Sequence, residues 1–586
     1  MKMQVTQELP FHLKQYVAEQ DYDQYTSMDQ ASWRFILRIS KEFFKVHGHA
    51  DYLKGLDVTG ITTDSIPKIS DIDEKLKKIG WRAVVVTGFI PSEAFLELLS
   101  LGVLPIACDM RKLEHLDYTP APDIVHEAAG HAPMLVNEEY AAALRKFGEV
   151  SRKVIFGKED MDVYKSVLEL SEIKEDPYAT PEQVSRVQMM LEKSLAAVSY
   201  VSEAQRLTRF SWWSTEYGLF KEKDRFLIFG AGLLSSVGES YSCLSDEVEK
   251  KYLDLQCVEQ SFDITRPQPQ LFYVHSFKEM EAVVDELSNT MAYKIGGRLG
   301  LEKALQAKTV TTTQLESGLQ IGGVVEMALF DEKDQPIFIK WSGPVQLGVR
   351  SQQIEGHGPL YHREGFSSPF GKIKGIYHAS HLMNANDLEQ MQLFPGGVSC
   401  VEFESGFKVE GEFKSVFKFD CFMLLISFSN AKVTYKNKIY FDPSWGDFDM
   451  ALGSEMKSVY GGAPDREKYF IEVPPEIIKK RKQKNNLTPQ NQKLNELYFQ
   501  IRKIRDEQLW SEKNLKTVMK VTAELDQFYP ADWLLRLEIL ELIKKRSELI
   551  DLEKSLRLKL ETISQESKKN KMLIERGLKL FEPVGD

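Results

Sequence analysis

Short runs rich in strand-forming residues dominate the stretch from residue 300 to residue 470. The runs 309–313 and 323–330 are followed by a charged segment, 331–334, that can form a turn before 336–341, so this part predicts a β-hairpin. Further predicted strands lie at 398–403, 412–419, 422–428, 431–435 and 439–441. Many short strands separated by Gly and Pro are typical of a small barrel or sandwich, which we expect over residues 301–475.

The last hundred residues have the apolar spacing of amphipathic helices. After Thr488-Pro489, apolar side chains recur at intervals of three and four from Leu494 to Ile504. Residues 529–532 interrupt this pattern, which resumes from 534 to 560. We therefore expect a helical hairpin or coiled coil within residues 476–586. Its apolar stripe can serve homo-oligomerisation or partner docking, or it can pack against the rest of the chain, and the spacing does not separate these alternatives.

Length and composition bound the class of protein. A chain of 586 residues is too long for one core, so several domains are expected. The net charge of −11 argues against a nucleic-acid or anionic-membrane partner. The five cysteines are widely spaced, and neither an apolar signal core nor a stretch long enough to span a membrane is evident. We therefore expect a cytoplasmic protein without disulfides.

The segment 118–133 contains the chemically most informative pair of residues, His126 and His131. Their separation of five residues corresponds to about 140° on a regular helix, so both rings can face one metal only if the helix ends or distorts between them. Gly130 and Pro133 predict such an ending. A zinc protease carries its histidines four residues apart and is disfavoured. With Glu216 as a third ligand, the set is the two-histidine, one-carboxylate triad of Fe(II) oxygenases.

Several ordered segments around this pair resemble a known family. They lie at 32–35, 66–67, 79–81, 88–95, 118–133, 216–219, 229–239 and 268–277. Their order and internal spacing are similar to those of the catalytic domain of the pterin-dependent aromatic amino acid hydroxylases, over residues 32 to 287. The resemblance implies a mainly α-helical catalytic domain, placed at 31–300, and it is greatest to bacterial members that act on phenylalanine. Only a segment of about 30 residues precedes this domain, too few for the regulatory domain of the animal relatives.

The resemblance also implies cofactors and the residues that bind them. His126, His131 and Glu216 correspond to the ligands of one ferrous iron. The tetrahydropterin, tetrahydrobiopterin or a related compound, is expected to lie against the backbone of Gly88 and Ile90, to stack on Phe95 and to approach Glu127.

Substrate-binding residues follow from the resemblance in the same way. Arg111 corresponds to the arginine that clamps the substrate carboxylate, Ser235 to a hydroxyl that supports the first histidine, and Asp123 to a carboxylate beside it. The remaining implied positions are Tyr118, Thr119, Trp212 and Ile264 at the substrate, and Glu239 in the surrounding layer.

Two of these positions indicate which ring is hydroxylated. Trp212 corresponds to the Trp of enzymes that act on phenylalanine and tyrosine, and apolar Ile264 stands where a tyrosine-specific enzyme has an aspartate. We therefore expect O2-dependent hydroxylation of L-phenylalanine to L-tyrosine. The alternatives are the same chemistry on tyrosine or tryptophan, or a degenerate domain that only binds and regulates.

Two further features fall outside the resemblance. The stretch 157–208 is longer than in the animal relatives, and its amphipathic runs, one of them beginning at Thr180-Pro181, predict added helices near the site. In the β-rich part, four histidines lie within 25 residues, at 357, 362, 378 and 381. One interpretation is a second metal site, but no carboxylate or cysteine spacing joins them into a ligand pattern, so histidines without a metal role are the favoured interpretation. Because all the implied site residues precede 277, the chemistry is expected to need nothing after residue 300.

Overall fold

A computed structural model describes most of the chain. The described residues are 5–117, 122–175, 178–263, 266–474, 487–507, 510–544 and 546–581. Tyr118, Thr119 and Ile264, which the sequence analysis assigns to the substrate, lie outside these ranges. In the part of the chain that is described, no helix is both long enough and apolar enough to cross a membrane.

Residues 5–291 form a mainly helical N-terminal region with two small sheets. Its longest helix begins where the Thr26 side chain accepts a hydrogen bond from the Asp29 backbone, while the Asp29 carboxylate accepts one from the Thr26 backbone. The helices are α1 (Val5–Glu8), α2 (Phe11–Lys14), α3 (Ser27–His47), α4 (Ala50–Thr59), α5 (Ile69–Leu76), α6 (Ser92–Ser100), α7 (Glu138–Ser151), α8 (Lys158–Glu175), α9 (Pro181–Ala196), α10 (Glu203–Ser211), α11 (Ala231–Leu234), α12 (Glu239–Ser242) and α13 (Phe277–Asn289). The strands are β1 (Arg82–Val86), β2 (Val103–Ala107), β3 (Leu219–Glu222), β4 (Arg225–Ile228), β5 (Glu249–Tyr252) and β6 (Gln270–Val274).

The two sheets of this region flank the helices. Strands β1 and β2 pair in parallel, and the second sheet has the order β4-β3-β6-β5. A large apolar core, with Trp33, Trp81 and Trp213 among its largest fully buried side chains, joins most of the helices to these strands. The mainly helical fold expected from the resemblance is therefore confirmed for this region.

The expected helical addition is present as the antiparallel pair α8 and α9. Helix α9 begins with a reciprocal cap between Thr180 and Gln183. The two helices pack through a small apolar cluster of their own that contains Leu170, Val187 and Leu191.

Residues 292–474 form the β-rich region. Its helices are α14 (Ala292–Ile295), α15 (Gly297–Ala307), α16 (Ala385–Gln390) and α17 (Arg466–Glu472). Its strands are β7 (Val310–Leu315), β8 (Leu319–Phe330), β9 (Pro336–Val349), β10 (Gln352–Gln353), β11 (Gly365–Pro369), β12 (Val398–Glu402), β13 (Lys408–Phe419), β14 (Phe422–Tyr435), β15 (Lys438–Phe441), β16 (Phe448–Ala451) and β17 (Met456–Gly461). One sheet has the order β10-β9-β8-β7-β17 with β11 also on β9, and the other has the order β12-β13-β14-β15 with β16 also on β14.

The predicted hairpin at 323–341 is confirmed, but the expectation of uniformly short strands is wrong. Strands β8 and β9 pair across the turn, where Phe330 faces Pro336. Strand β14 runs through both 422–428 and 431–435, because Asn430 adopts a positive φ of 48° within the strand and the register shifts beside it. Such bulges let long strands bend without ending. The result is two packed antiparallel sheets that share apolar clusters, which fits the sandwich alternative.

The predicted domain boundary at residue 300 coincides with a packed helix. It falls inside α15, whose Leu301 and Ala304 are buried in the core of the β-rich region. The absence of a side chain at Gly300 allows α15 to pack closely on β17, since a Cβ there would meet the Val459 side chain at 3.0 Å. The β-rich region therefore begins near residue 292.

The C-terminal residues form five helices rather than the predicted two-helix hairpin or coiled coil. They are α18 (Pro489–Glu507), α19 (Glu512–Phe528), α20 (Leu534–Ile543), α21 (Ile550–Ser564) and α22 (Lys568–Lys579). The break predicted at 529–532 is present, and further breaks follow residues 507, 543 and 564. The sequence predicted only one break between helices, because helix-forming Leu, Glu and Lys residues continue through the other positions at which helices end.

These C-terminal helices pack against the chain's own N-terminal region. Their buried side chains belong to the same apolar core as α3, where Phe35 and Trp533 meet edge to face with ring centroids 4.9 Å apart. The Arg34 guanidinium forms ion pairs with Glu541 at 2.7 Å and Glu538 at 3.5 Å. Of the two alternatives for the apolar stripe, packing on the same chain is the one observed. Removing everything after residue 300 would expose this face of α3, so lower solubility is expected of a truncated chain, and its retained hydroxylation stays a prediction.

Candidate functional site

His126 and His131 lie on one turn of π-helix, Val125–His131. Hydrogen bonds of a π-helix join residues five apart, so the wider turn brings side chains with this spacing to the same face. The helix does not end at Gly130, as the sequence predicted, but widens and continues into a 3-10 turn, Ala132–Val136. Gly130 is required for another reason, because a Cβ there would lie 2.8 Å from the Ala231 carbonyl oxygen.

A second π-helical turn, Trp212–Glu216, presents Glu216 to the two imidazoles. The Nε2 atoms of His126 and His131 each lie 3.2 Å from a different carboxylate oxygen of Glu216. The ring centroids of the histidines are 5.0 Å apart. We call these three residues the catalytic cluster. The structure thus brings together the three predicted ligands from positions up to 90 residues apart.

The hydroxyl of Ser235 controls which nitrogen of His126 faces the cluster. Ser235 Oγ donates to the Ala231 carbonyl at 2.8 Å and lies 3.1 Å from His126 Nδ1. Because its proton is already donated, the Ser235 oxygen accepts from Nδ1–H, and the lone pair of His126 is left on Nε2. That is the tautomer a metal requires at this nitrogen.

Two carboxyl groups at the site have opposite electrostatic character. Desolvation alone would raise the pKa of Glu216, but the His131 and His126 imidazoles outweigh it and hold that pKa well below its usual range. Burial raises the pKa of Glu127 to about 8, an effect that His131 opposes and the charges of Glu216 and Asp123 reinforce. One oxygen of Glu127 is buried without a hydrogen-bond partner among the described residues.

These observations fit a bound divalent iron. The Nε2 atoms of both histidines meet the Glu216 carboxylate, that carboxylate is anionic, and Glu127, which has one oxygen unpartnered among the described residues, lies with both histidines in one group of possible metal donors. Two neutral imidazoles and one carboxylate suit Fe(II) and leave coordination positions open. A cation bound there would also stabilise the carboxylate form of Glu127, which burial disfavours.

Arg111 is held by Asp123. Its Nε donates to one Asp123 oxygen at 2.7 Å, its Nη2 donates to the other at 2.8 Å, and its Nη1 donates to the Ser235 carbonyl at 2.9 Å. Asp123 also accepts from the backbone of His126 at 3.0 Å. A guanidinium has five N–H groups, so two remain without a hydrogen bond to the described residues. Asp123 therefore connects Arg111, the proposed substrate clamp, rigidly to His126, the first proposed metal ligand.

The loop expected to contact the pterin is held by hydrogen bonds from two different parts of the fold. Gly88 has a φ of 59°, a Cβ there would meet no atom within 4 Å, and its N–H donates to Asp109 at 2.9 Å. Asp109 in turn accepts from Ile124 through its backbone carbonyl. Tyr164, on the added helix α8, donates to the Phe89 carbonyl at 3.2 Å. The loop is thus tied to the metal-binding turn on one side and to the addition on the other.

The other positions assigned to this end of the site lie nearby in the fold. Ile90 packs with Ala94 and Leu98 in a small cluster beside β1, and Phe95 lies on α6, half-buried against the main core. Glycine at 88 leaves open space where a flat ligand can approach the backbone.

Aromatic rings form one wall beside Glu216. Trp212 stacks on Phe262 with ring centroids 4.2 Å apart and on Tyr217 at 4.5 Å. Glu239 accepts from the Gln268 backbone at 2.8 Å, and burial raises the pKa of its carboxyl. Glu239 therefore supports the loop that precedes β6.

Two residues near the site were not found from the sequence. Asp109 lies two residues after the end of β2, and this position near a strand end was the available signal. Tyr140 is fully buried with an unpartnered hydroxyl, and burial together with the charge of Glu216 raises its pKa. Nothing in the sequence around Tyr140 distinguishes it from an ordinary core tyrosine.

Comparison with known proteins identifies this region. Residues 5–167 and 180–299 match the model of a family described as biopterin-dependent aromatic amino acid hydroxylase. The phenylalanine-4-hydroxylase of Ralstonia nicotianae is 26% identical over 275 residues, which is 43% of this chain and 74% of that protein. The phenylalanine-4-hydroxylase of Pseudomonas aeruginosa is 27% identical over 299 residues, 50% of this chain and 96% of that protein.

A solved structure was also similar. The phenylalanine hydroxylase of Chromobacterium violaceum, with bound iron(III) and oxidised cofactor 7,8-dihydrobiopterin, is 23% identical, with a TM-score of 0.38, 49% of this chain covered and 92% of that chain. The family match begins at residue 5, before the predicted start at 31, and includes α1 and α2. The N-terminal region of this chain belongs to the biopterin-dependent aromatic amino acid hydroxylase family.

Proposed function

We propose that the N-terminal region hydroxylates the ring of L-phenylalanine to L-tyrosine, using O2, Fe(II) and a tetrahydropterin. The observation that carries the proposal is the catalytic cluster itself, in which both imidazole Nε2 atoms lie 3.2 Å from Glu216. A degenerate domain would have no need to keep three ligands in this arrangement. When bound, the iron and the pterin supply the activation of O2.

The residues of the chain hold and orient the reactants. Ser235 fixes the His126 tautomer, so the metal-facing lone pair is available without rearrangement. Arg111 has two N–H groups left for a carboxylate, and its pairing with Asp123 restricts its side chain to one position. A planar guanidinium suits a bidentate amino acid carboxylate.

Glu127 is the group best suited to hold a proton at this site. Its raised pKa, about 8, means that the carboxyl is largely protonated at neutral pH in the metal-free protein. It can therefore donate a hydrogen bond to a neighbouring acceptor, and a bound cation returns it toward the carboxylate form. This range suits proton exchange near neutral pH.

The choice of phenylalanine is supported by the apolar side of the site. The Trp212 ring, stacked between Phe262 and Tyr217, offers an aromatic face and no free carboxylate. Both relatives described above are phenylalanine-4-hydroxylases. A pocket that lacks a polar partner for a phenol gains nothing from tyrosine's additional oxygen.

Product analysis with three amino acids tests the proposal. The full-length protein is loaded with Fe(II) without oxygen, then given tetrahydrobiopterin, O2 and either phenylalanine, tyrosine or tryptophan, with His131→Ala as the matched control. We expect tyrosine from phenylalanine at the highest kcat/KM, and no product from the variant. Preferred hydroxylation of tyrosine or tryptophan would show that this amino acid, rather than phenylalanine, is the substrate. Iron binding with no product from any amino acid would favour the binding-protein alternative.

A further inference from the structure

A second group of two histidines and one carboxylate lies in the β-rich region. His357 Nδ1 lies 3.1 Å from His362 Nε2 and 3.8 Å from Asp449 Oδ2. The donor atoms of the three residues all lie within 4.8 Å of one another. We call these residues the β-region cluster. The carboxylate comes from 87 residues beyond His362, which is why the histidine spacing alone did not indicate it.

Backbone pairing holds both histidines in place. They lie on the irregular loop between β10 and β11, where their carbonyl oxygens accept hydrogen bonds from Leu347 and Val345 of β9, each at 3.0 Å. The His362 side chain is buried, with 7% of the residue exposed. The two imidazoles are therefore presented by fixed backbone rather than by a free loop.

The carboxylate is fixed from the other sheet. Asp449 lies on β16, opposite Ser427 of β14, and accepts a hydrogen bond from the Ser427 hydroxyl. Only 5% of Asp449 is exposed. The β-region cluster thus spans the two sheets, with the imidazoles attached to β9 of one sheet and the carboxylate carried by the other.

Without a metal, the two imidazole nitrogens share one proton, and Asp449 accepts from Ser427. His357 Nδ1 faces both His362 Nε2 and Asp449 Oδ2, and one proton at this nitrogen can serve only one of them. A buried carboxylate and two imidazole nitrogens directed at one point are stabilised by a cation that accepts all three lone pairs.

The separations also fit metal coordination. Tetrahedral zinc with bonds of 2.0–2.2 Å places its ligand atoms about 3.3–3.5 Å apart. The observed 3.1 and 3.8 Å lie on either side of this value. In the catalytic cluster, the corresponding separations are both 3.2 Å.

We propose that His357, His362 and Asp449 bind a divalent transition-metal ion, with Zn²⁺ the best match, which joins the two sheets of the β-rich region. Three protein ligands leave one tetrahedral position for water or a small donor. Tyr361 lies beside the β-region cluster, with its ring centroid 4.6 Å from that of His362. Because the ligands come from both sheets, the ion stabilises the packing of the sandwich.

Zinc binding by a protein that lacks the catalytic cluster tests this proposal. Full-length protein carrying His126→Ala and His131→Ala is dialysed against Zn²⁺ alone, and bound zinc is counted by mass spectrometry. We expect about one zinc per chain, and at least a tenfold loss of affinity when His362→Asn or Asp449→Asn is added, since even residues outside the ligand set change metal affinity about 10- to 100-fold.

His378→Asn is the matched control, because His378 also faces a carboxylate, Asp387 at 3.2 Å, but without a second histidine. This substitution is expected to leave zinc binding intact. Failure of the background protein to retain zinc, or retention that both His362→Asn and Asp449→Asn leave intact, would overturn the proposal.

X-ray absorption on the zinc-loaded background protein gives a second readout that does not depend on the folding of the variants. The expected inner shell contains two imidazoles and oxygen, with no scatterer at the roughly 2.3 Å of a zinc–sulfur bond. A sulfur shell, or fewer than two imidazoles, would assign the zinc to other residues.

Discussion

The catalytic cluster and the β-region cluster contain the same donor types but differ in how the chain assembles them. In the catalytic cluster, two π-helical turns present all three ligands, and both histidines come from a single turn. In the β-region cluster, an irregular loop supplies the histidines and a strand of the other sheet supplies the carboxylate. In the catalytic cluster, the ligands come from two helical turns and would leave one side of a bound metal facing the neighbouring helices and loops. In the β-region cluster, the ligands connect two sheets.

The surroundings of the two clusters differ more than their donors. Arg111 reaches the catalytic cluster through Asp123, and Glu127 contributes a buried carboxyl, one oxygen of which has no hydrogen-bond partner among the described residues. The contacts described around the β-region cluster come from a tyrosine, a phenylalanine and a serine. A guanidinium and an extra carboxyl are what amino acid binding and proton transfer require, so the donor set alone does not define an oxygenase.

Removal of one ligand should separate the clusters most clearly. Glu216→Ala is expected to lose iron and to lower turnover by at least about 100-fold, because a three-ligand site has no spare donor and even second-layer changes cost 10- to 100-fold. Asp449→Ala should keep iron in the catalytic cluster and lose zinc from the other. Metal analysis and tyrosine formation measure both effects. Full iron occupancy in Glu216→Ala would remove this glutamate from the ligand set.

Arg111→Lys tests whether the surroundings make the catalytic cluster an amino acid site. The change breaks a bidentate, buried pair with Asp123, and we expect KM for phenylalanine to rise on the order of 100-fold while KM for the pterin changes little. Steady-state kinetics with each substrate varied gives the two values, and thermal unfolding of the variant reports the accompanying loss of stability. Equal increases in both KM values would show that Arg111 does not bind the amino acid.

A matched pair of serines sharpens the comparison. Ser235→Ala removes the support of His126, and Ser427→Ala removes the support of Asp449. Each is expected to weaken its own metal about tenfold and to leave the other unaffected. Iron and zinc affinities of both variants, with Ser235→Thr to restore the hydroxyl, check this. Crossed effects would mean that the two clusters are coupled.

Tyr164→Phe should have the smallest effect. It removes one hydrogen bond, from α8 to the Phe89 carbonyl, so KM for the pterin is expected to rise only a few-fold, about 0.5–1.5 kcal/mol. Tyr377→Phe, at a side chain that is 99% exposed, is the control. A change in KM for phenylalanine alone would place the effect of the added helices at the substrate rather than at the pterin loop.

The sequence predicted the catalytic cluster because its ligands lie within segments of ordered spacing, and it predicted the hairpin of β8 and β9 from a turn between strand formers. It did not predict the π-helical turn, since the widening depends on how residues 125–131 pack against α11. The five C-terminal helices and their packing on α3 depend on contacts between residues about 500 positions apart, such as Arg34 with Glu541. The β-region cluster was missed for the same reason, because Asp449 is distant from both histidines in the chain.

Anomalous diffraction from crystals loaded with Fe(II) and Zn(II) tests the central claim most directly. Data collected on both sides of the iron and zinc absorption edges assign each metal to its position. The account predicts iron between His126, His131 and Glu216, and zinc in the β-region cluster. An absence of iron density at the catalytic cluster, or iron bound only in the β-rich region, would contradict it.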